Sequence, residues 1–166
     1  MVNGYAGKLL RVSLDEKKGK KENLNFDDLR NYIGGVGYGA KLLYDELKEG
    51  IDPLSPKNKL IFATSPLTMN TVPGGGSIEL CFKSPLTNGW GESRCGGDFG
   101  PEMRKSGYDF IIIEGKADQP VYLVINYGKV SIEPADHLKG KTVTEKIEEI
   151  KNDLSDSNFL RLGQYT

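Results

Sequence analysis

Tyr108-Asp109-Phe110-Ile111-Ile112-Ile113-Glu114-Gly115, followed by Val121-Tyr122-Leu123-Val124-Ile125-Asn126 and Lys129-Val130-Ser131-Ile132-Glu133, is the stretch that decides the fold class. Short β-branched runs of this kind predict strands. Only Tyr127-Gly128 separates the last two, a connection typical of an antiparallel hairpin. Upstream, residues 8–14 alternate, with Leu10, Val12 and Leu14 on one face, and a return strand through Asn23 follows a polar turn. Residues 59–64 and 77–83 predict two more strands. Four helices are interleaved with them. Asn25 caps the first, with Asp27 and Asp28 in its opening turn and a stop at Gly34-Gly35. The second runs over 37–47 with a stripe of Ala40, Leu43, Tyr44 and Leu47. The third spans 98–106 and ends at Gly107. Thr142 and Glu145 form a capping box for the fourth, which shows Val143, Ile147 and Ile150 on one face. Hairpin-joined strands with a few helices predict an α+β fold, β-rich and largely antiparallel.

The whole chain of 166 residues is the length of one domain, and folding should bury about 70% of its unfolded surface. Its 37% hydrophobic and 27% charged residues exclude a disordered tail. Twenty-two Lys and Arg against 23 Asp and Glu leave a net charge of −1, which excludes a general nucleic-acid backbone binder. No apolar run approaches the ~20 residues that span a bilayer, and the first residues show no signal peptide, so a cytoplasmic location is expected. Two cysteines are too few for a disulfide framework or a four-thiolate metal site. Glycine is the outlier, at 21 residues of 166 against a usual share of about 7%.

Gly35-Val36-Gly37-Tyr38-Gly39-Ala40 loosely matches a dinucleotide fingerprint, but a helix rather than a strand precedes it. A tight helix–helix turn is the better reading. His137 is the sole histidine and sits in a polar turn. Cys81 falls on a strand as a small buried hydrophobe. The densest unusual stretch is Val72-Pro73-Gly74-Gly75-Gly76-Ser77 together with the loop from Asn88 to Gly100, which holds Trp90, Ser93, Arg94, Cys95, Gly96 and Gly97. Glycines allow a backbone to approach a flat or phosphorylated ligand closely. Gly96-Gly97 leads into a short helix, whose free N–H groups attract anions, and Arg94 suits bidentate phosphate binding. Trp90 either stacks on a heterocycle or fills the core. Ser-Pro-Leu-Thr occurs twice, at 65–68 and 84–87, as one turn chemistry used after two strands.

Several segments in fixed order resemble the tungsten-containing aldehyde ferredoxin oxidoreductases. They are Asn31-Tyr32-Ile33-Gly34-Gly35-Val36-Gly37, Asp52-Pro53-Leu54-Ser55-Pro56, Lys83-Ser84-Pro85-Leu86-Thr87 and Ser93-Arg94-Cys95-Gly96-Gly97-Asp98-Phe99-Gly100-Pro101-Glu102, continued by Glu114-Gly115-Lys116-Ala117. The likeness runs from about Gly7 to Leu162 and is to the family's N-terminal domain. It implies an open β-rich base on which a tungsten or molybdenum bis-pyranopterin lies, with magnesium bridging the pterin phosphates. It further implies C-terminal domains that complete the site and hold a four-iron four-sulfur cluster. The implied reaction oxidises an aldehyde to a carboxylic acid and passes electrons to ferredoxin. The implied cofactor-binding residues are Ser77, Ser93, Arg94, Gly96 and Gly97, with no catalytic or metal-ligating residue in this chain. Two positions depart from the family pattern. Ser77 stands where an arginine follows the paired glycines, and Arg94 stands where an asparagine is usual. A guanidinium cannot ligate magnesium as an amide carbonyl does.

The cysteine cluster motif and the family's second glycine-rich segment do not occur. Residues 1–166 are therefore expected to be a C-terminally truncated N-terminal domain, inactive and without bound cofactor by itself. Its expected partners are the C-terminal domains of the same polypeptide, ferredoxin and, by family likeness, a second subunit; no nucleic acid and no membrane are expected. A free-standing, non-redox binding module for a pterin or nucleotide-like ligand is the alternative. Three spatial expectations follow. Ser77 and residues 93–97 should converge on one concave surface, the two Ser-Pro-Leu-Thr corners should lie at one edge of the sheet, and an uncovered sheet edge should favour self-association.

Overall fold

The computed structural model describes residues 4–69 and 72–154. The strands are β1 (Lys8–Ser13), β2 (Lys18–Asn23), β3 (Lys59–Ala63), β4 (Ile78–Lys83), β5 (Trp90–Cys95), β6 (Phe110–Glu114), β7 (Val121–Asn126) and β8 (Lys129–Pro134). The helices are α1 (Phe26–Tyr32), α2 (Gly35–Glu46), α3 (Phe99–Lys105) and α4 (Val143–Asp153). Six strands form one sheet in the order β2-β1-β6-β3-β4-β5, and β7 and β8 form a separate hairpin. β1 and β6 run parallel; every other pair is antiparallel. The α+β class holds, as a mixed sheet.

β6 explains its own composition. Phe110 and Ile112 enter the cluster under α1 and α2, with Leu29, Tyr38, Leu42 and Ile61. Ile111 points to the other face, where Leu10, Val12, Ile78 and Met103 meet the apolar side of the hairpin at Leu123, Ile125, Val130 and Ile132. A strand covered on both faces reads as a continuous apolar run. The hairpin turns at Tyr127 (φ 46°) and Gly128 (φ 78°), the paired positive φ of a type I′ turn. Asn25 caps α1 by accepting from Asp27 N–H, and the Thr142–Glu145 capping box of α4 is complete.

Three expectations need correction. α2 starts at Gly35, and its buried side is Gly35, Tyr38, Gly39, Leu42 and Leu43, while Tyr44 is 87% exposed. The small residues let α2 approach β4, so the seam follows the glycines rather than the larger side chains. α4 forms with the bounds expected, its Ile147 and Ile150 half-buried and Val143 exposed. Trp90–Cys95 is a strand and not a loop, and Trp90 is exposed rather than core. The Ser-Pro-Leu-Thr corners lie at opposite ends of the sheet, because each follows the C-terminal end of β3 or β4 and these strands are antiparallel. They do share a turn chemistry. Leu67 N–H donates to Ser65 Oγ, and Thr87 N–H donates to Ser84 Oγ.

The C-terminal end of α2 is tied to the sheet by charge. Arg11 of β1 holds Glu46 with two bonds of 2.8 and 2.9 Å, reaches Glu22 of β2 at 3.3 Å, and neighbours Lys59 and Glu114 through shared carboxylates. Burial pushes Glu46 up, but hydrogen bonds from Arg11 and Lys59 outweigh it and hold its carboxyl below the ordinary value. Burial likewise raises Glu22, and bonds from Lys20 and Arg11 reverse the direction. Because both folded values are depressed, this stabilisation is complete above the unfolded glutamate pKa of about 4.3. It is lost as pH falls through the folded values. Urea midpoints of the wild type should therefore drop more steeply below that pH than those of Arg11→Met; equal slopes would refute the network's role.

Candidate cofactor-binding site

The β4–β5 register sets Ile78 opposite Cys95 and Glu79 opposite Arg94, so Ser77 lies level with Gly96. The two glycine stretches are packed backbone against backbone. A Cβ on Gly76 would come within 2.9 Å of Gly97 O, and one on Gly100 within 2.8 Å of Gly76 O. No side chain larger than hydrogen fits at those two positions without a shift. Beside them lies a cavity of about 450 Å³ walled by the 72–75 turn, Ser77, Glu79, Arg94 and the residues that join α1 to α2.

Each polar group there has a specific setting. The Ser77 hydroxyl donates to Gly74 O at 3.2 Å and closes its turn. Glu79, 7% exposed, accepts from Arg94 Nε, while most of the Arg94 side chain stays open to solvent. Opposite them, the N-cap of α2 is Gly34, with no side-chain cap and no acidic residue in the first turn. Its N–H groups are mostly taken, since Gly34 N–H donates to Tyr32 O at 2.7 Å, Gly35 N–H to Thr64 O at 2.8 Å and Gly37 N–H to Gly34 O at 3.1 Å, which leaves the helix dipole as that end's main attraction for an anion. The entry to α2 is strained, with Ile33 at φ 65°, Gly34 at 150° and Gly35 at 52°. A β-branched residue in the left-handed region is uncommon and tends to mark functional sites. Tyr5 Oη fixes it by donating to Ile33 O. Tyr32, Ile33, Leu67 and Val72 add an exposed apolar rim to the polar floor.

Of the five residues expected at the site, Ser77 and Arg94 line the cavity. Gly97 supports it through the contact with Gly76, and Gly96 lies in the open, with nothing within 4 Å of a Cβ there. Ser93 sits opposite Leu80, and strand alternation sends it to the other face of β5 from Arg94. Glu79 and the Gly34-Gly35 turn were missed as cavity wall. Paired glycines between two helices were the available signal. Among the described residues no group of three or more His, Cys, Asp or Glu side chains could hold a metal ion. His137 lies elsewhere, its Nε2 3.0 Å from Asp153 Oδ2.

The cysteines differ in chemistry. Burial pushes the Cys81 thiol up to about 12, whereas Cys95 is exposed. A thiolate-specific reagent should therefore titrate one thiol per native chain and two after denaturation. Two fast-reacting thiols in the native protein would contradict this packing.

A glycine-lined cavity on an α+β sheet, with one cation over a buried carboxylate, is the kind of concave surface that small ligands occupy. The sequence profile described as "Aldehyde ferredoxin oxidoreductase, N-terminal domain" matches residues 9–165, and the chain belongs to that family. The tungsten-containing aldehyde ferredoxin oxidoreductase of Pyrococcus horikoshii is 43% identical over 155 residues, 93% of this chain and 26% of that protein. Its counterpart in Thermococcus kodakarensis is 37% identical over 160 residues, 96% of this chain and 26% of that protein. A Pyrococcus furiosus protein named aliphatic sulfonate oxidoreductase, WOR-like subunit, is 42% identical over 134 residues, covering 79% and 21%. Among solved structures, the active-site complex BamBC of benzoyl coenzyme A reductase with 1,5-dienoyl-CoA superposes with a TM-score of 0.91 at 37% identity, covering 95% of this chain and 24% of that chain. The chain thus spans about a quarter of the length of the relatives it matches.

Proposed function

We propose that residues 1–166 form the cofactor-base domain of a tungsten or molybdenum bis-pyranopterin oxidoreductase, which oxidises aldehydes to carboxylic acids and passes the electrons to ferredoxin. The observation that carries this reading is the meeting of the two glycine stretches beside Arg94, whose guanidinium is largely open to solvent. The residues fit a flat ligand with a phosphate tail. Gly74, in the cavity wall, has nothing within 4 Å of a Cβ and leaves space for a ring, and Arg94 supplies exposed N–H donors for phosphate. When bound, the pterin metal supplies the two-electron chemistry. This chain's own residues bind and orient. Arg94 would hold phosphate while Glu79 fixes the angle of its guanidinium, and Ser77 keeps the 74–77 turn closed.

Position 94 does not fit magnesium, because arginine offers only donors. The four-iron four-sulfur cluster and any magnesium ligands are assigned to other segments of the polypeptide, and the isolated chain is read as inactive. Relatives named for aldehydes, an aliphatic sulfonate and benzoyl-CoA share this domain, so the choice of substrate is placed in those other segments as well. Among the described residues no helix is long and apolar enough to cross a membrane.

Metal analysis of the purified chain, with titration of a pterin phosphate into it, tests the proposal. The expected result is no stoichiometric tungsten or molybdenum and weak pterin-phosphate binding that falls about tenfold or more in Arg94→Ala. Stoichiometric metal with pterin absorbance would favour the free-standing module. Equal binding by wild type and Arg94→Ala would remove the site.

A further inference from the structure

Tyr5 does not line the cavity, yet it holds part of the wall. Ile33, between α1 and α2, has φ 65° and ψ −57°, and Gly34 N–H donates across it to Tyr32 O at 2.7 Å. That is a γ-turn of the rare, strained hand, with a β-branched residue at its centre. Such a conformation persists only where its surroundings over-determine it. Three bonds do so here. Ile33 N–H donates to Leu29 O at 2.8 Å, Gly35 N–H donates to Thr64 O at 2.8 Å, and the Tyr5 hydroxyl donates to Ile33 O. Of the three, only the bond from Tyr5 acts on the carbonyl of the strained residue.

Tyr5 is itself aimed by anchors on both sides. Gly4 O accepts from Arg104 Nη2 at 2.6 Å, and the N–H groups of Ala6 and Gly7 donate to the Asp109 carboxylate at 3.0 and 2.6 Å. Its ring packs against the cluster under α1 and α2. Burial raises the pKa of the hydroxyl against the opposing charge of Arg104, so the proton it donates is retained. What this arrangement places is the Ile33 side chain. It is 61% exposed and belongs to neither core cluster, but it stands in the cavity wall with Tyr32, Leu67 and Val72. Strain at an exposed apolar residue gains nothing from burial in the fold. A ligand's apolar face in the same cavity would supply that contact.

We infer that Tyr5 is a positioning residue for ring recognition: by holding the γ-turn through Ile33 O, it sets Ile33 against the face of a pterin ring whose phosphate is held by Arg94. The inference rests on the cofactor reading. It divides the site into an apolar end governed by Tyr5 and an ionic end formed by Arg94 and Glu79.

Tyr5→Phe removes the hydroxyl and keeps the ring packed. It should bind a pterin phosphate about fivefold more weakly than the wild type, the worth of one hydrogen bond. Inorganic phosphate, which has no ring, should bind both proteins equally, whereas Arg94→Ala should weaken both ligands. Amide exchange at Gly34 and Gly35 should accelerate in Tyr5→Phe while that at Ile111 and Ile112 keeps the wild-type rate, which locates the change in the turn. Ile33→Gly deletes the proposed ring contact at an exposed position. It should weaken pterin-phosphate binding by itself, and adding Tyr5→Phe to it should cause no further loss. Equal pterin-phosphate affinity in wild type and Tyr5→Phe overturns the inference, and if Arg94→Ala still weakens binding the cofactor reading stands. Parallel loss of both ligands in Tyr5→Phe, unchanged exchange at Gly34 and Gly35, or an undiminished effect in the Ile33→Gly background overturns it as well. A wild type that binds neither ligand overturns the cofactor reading and this inference with it.

Discussion

Asp109→Ala should move the unfolding transition to much lower urea than that of the wild type. Asp109 is fully buried at the start of β6 and accepts three backbone N–H bonds, from Ala6 at 3.0 Å, Gly7 at 2.6 Å and Lys8 at 3.2 Å. It also pairs with Arg104 of α3, whose side chain is 8% exposed. One carboxylate therefore fixes the entry of β1, the neighbouring strand β6 and a helix on the far face. Removing it strands a buried guanidinium and three amides. Loss of one partner of a buried ion pair costs about 3–5 kcal/mol, against a total stability of about 5–15 kcal/mol for domains generally. Asp109→Asn keeps the shape and some of the bonds and should cost less. Urea denaturation followed by circular dichroism measures both. A midpoint for Asp109→Ala within error of the wild type would show that the clasp is dispensable.

Gly39→Val should destabilise the chain nearly as much, by overpacking rather than by loss. A Cβ at Gly39 would lie 2.6 Å from Cys81 Sγ and 3.2 Å from Cys81 Cβ, in the seam where α2 meets β4. Neither side can move freely, because Cys81 is wholly buried between β3 and β5. Overpacking of this kind costs about 1–3 kcal/mol, and the branched side chain puts Val at the upper end. The discriminating variant is the double mutant Gly39→Ala with Cys81→Ala, which removes the sulfur in the way. It should be more stable than the sum of the two single effects predicts. Strict additivity would mean that Gly39 is needed for some other reason, such as a ligand's approach.

That seam also bears on the dinucleotide-like spelling of residues 35–40. Gly35 adopts a positive φ, a Cβ on Gly37 would lie 2.5 Å from Tyr32 O, and Gly39 clears Cys81. Two of these glycines answer demands of chain packing and the third a demand of backbone conformation. A preceding helix, readable from Asn25 and the two aspartates, was enough to reject the nucleotide motif. The choice of Tyr44 as a buried residue failed for a related reason. A helical stripe can be drawn through Ala40, Leu43, Tyr44 and Leu47 as readily as through Tyr38, Leu42 and Leu43. Only the sheet beneath selects between them, and it selects the side with glycine because that side can come closest.

β5 shows most clearly where local reading stops. Trp90-Gly91-Glu92-Ser93-Arg94-Cys95 has no alternation of apolar and polar residues, since an edge strand that is exposed along most of its length needs none. Its strand geometry comes from the ladder to β4, a partner set by tertiary structure. That same ladder brings Arg94 to Glu79 and Ser77 to Gly96, and it turns Ser93 away from them. The sequence by itself determined the hairpin at Tyr127-Gly128, the caps at Asn25 and Thr142, the strand at Phe110–Glu114 and the family likeness, because each is written in neighbouring residues or in ordered motifs. Tertiary structure alone decided the register of β4 on β5, the buried side of α2 and the opposite placement of the two Ser-Pro-Leu-Thr corners. Those depend on which distant backbone supplies the hydrogen bonds and which surface supplies the contact, and neither is encoded within the span of a single turn or strand.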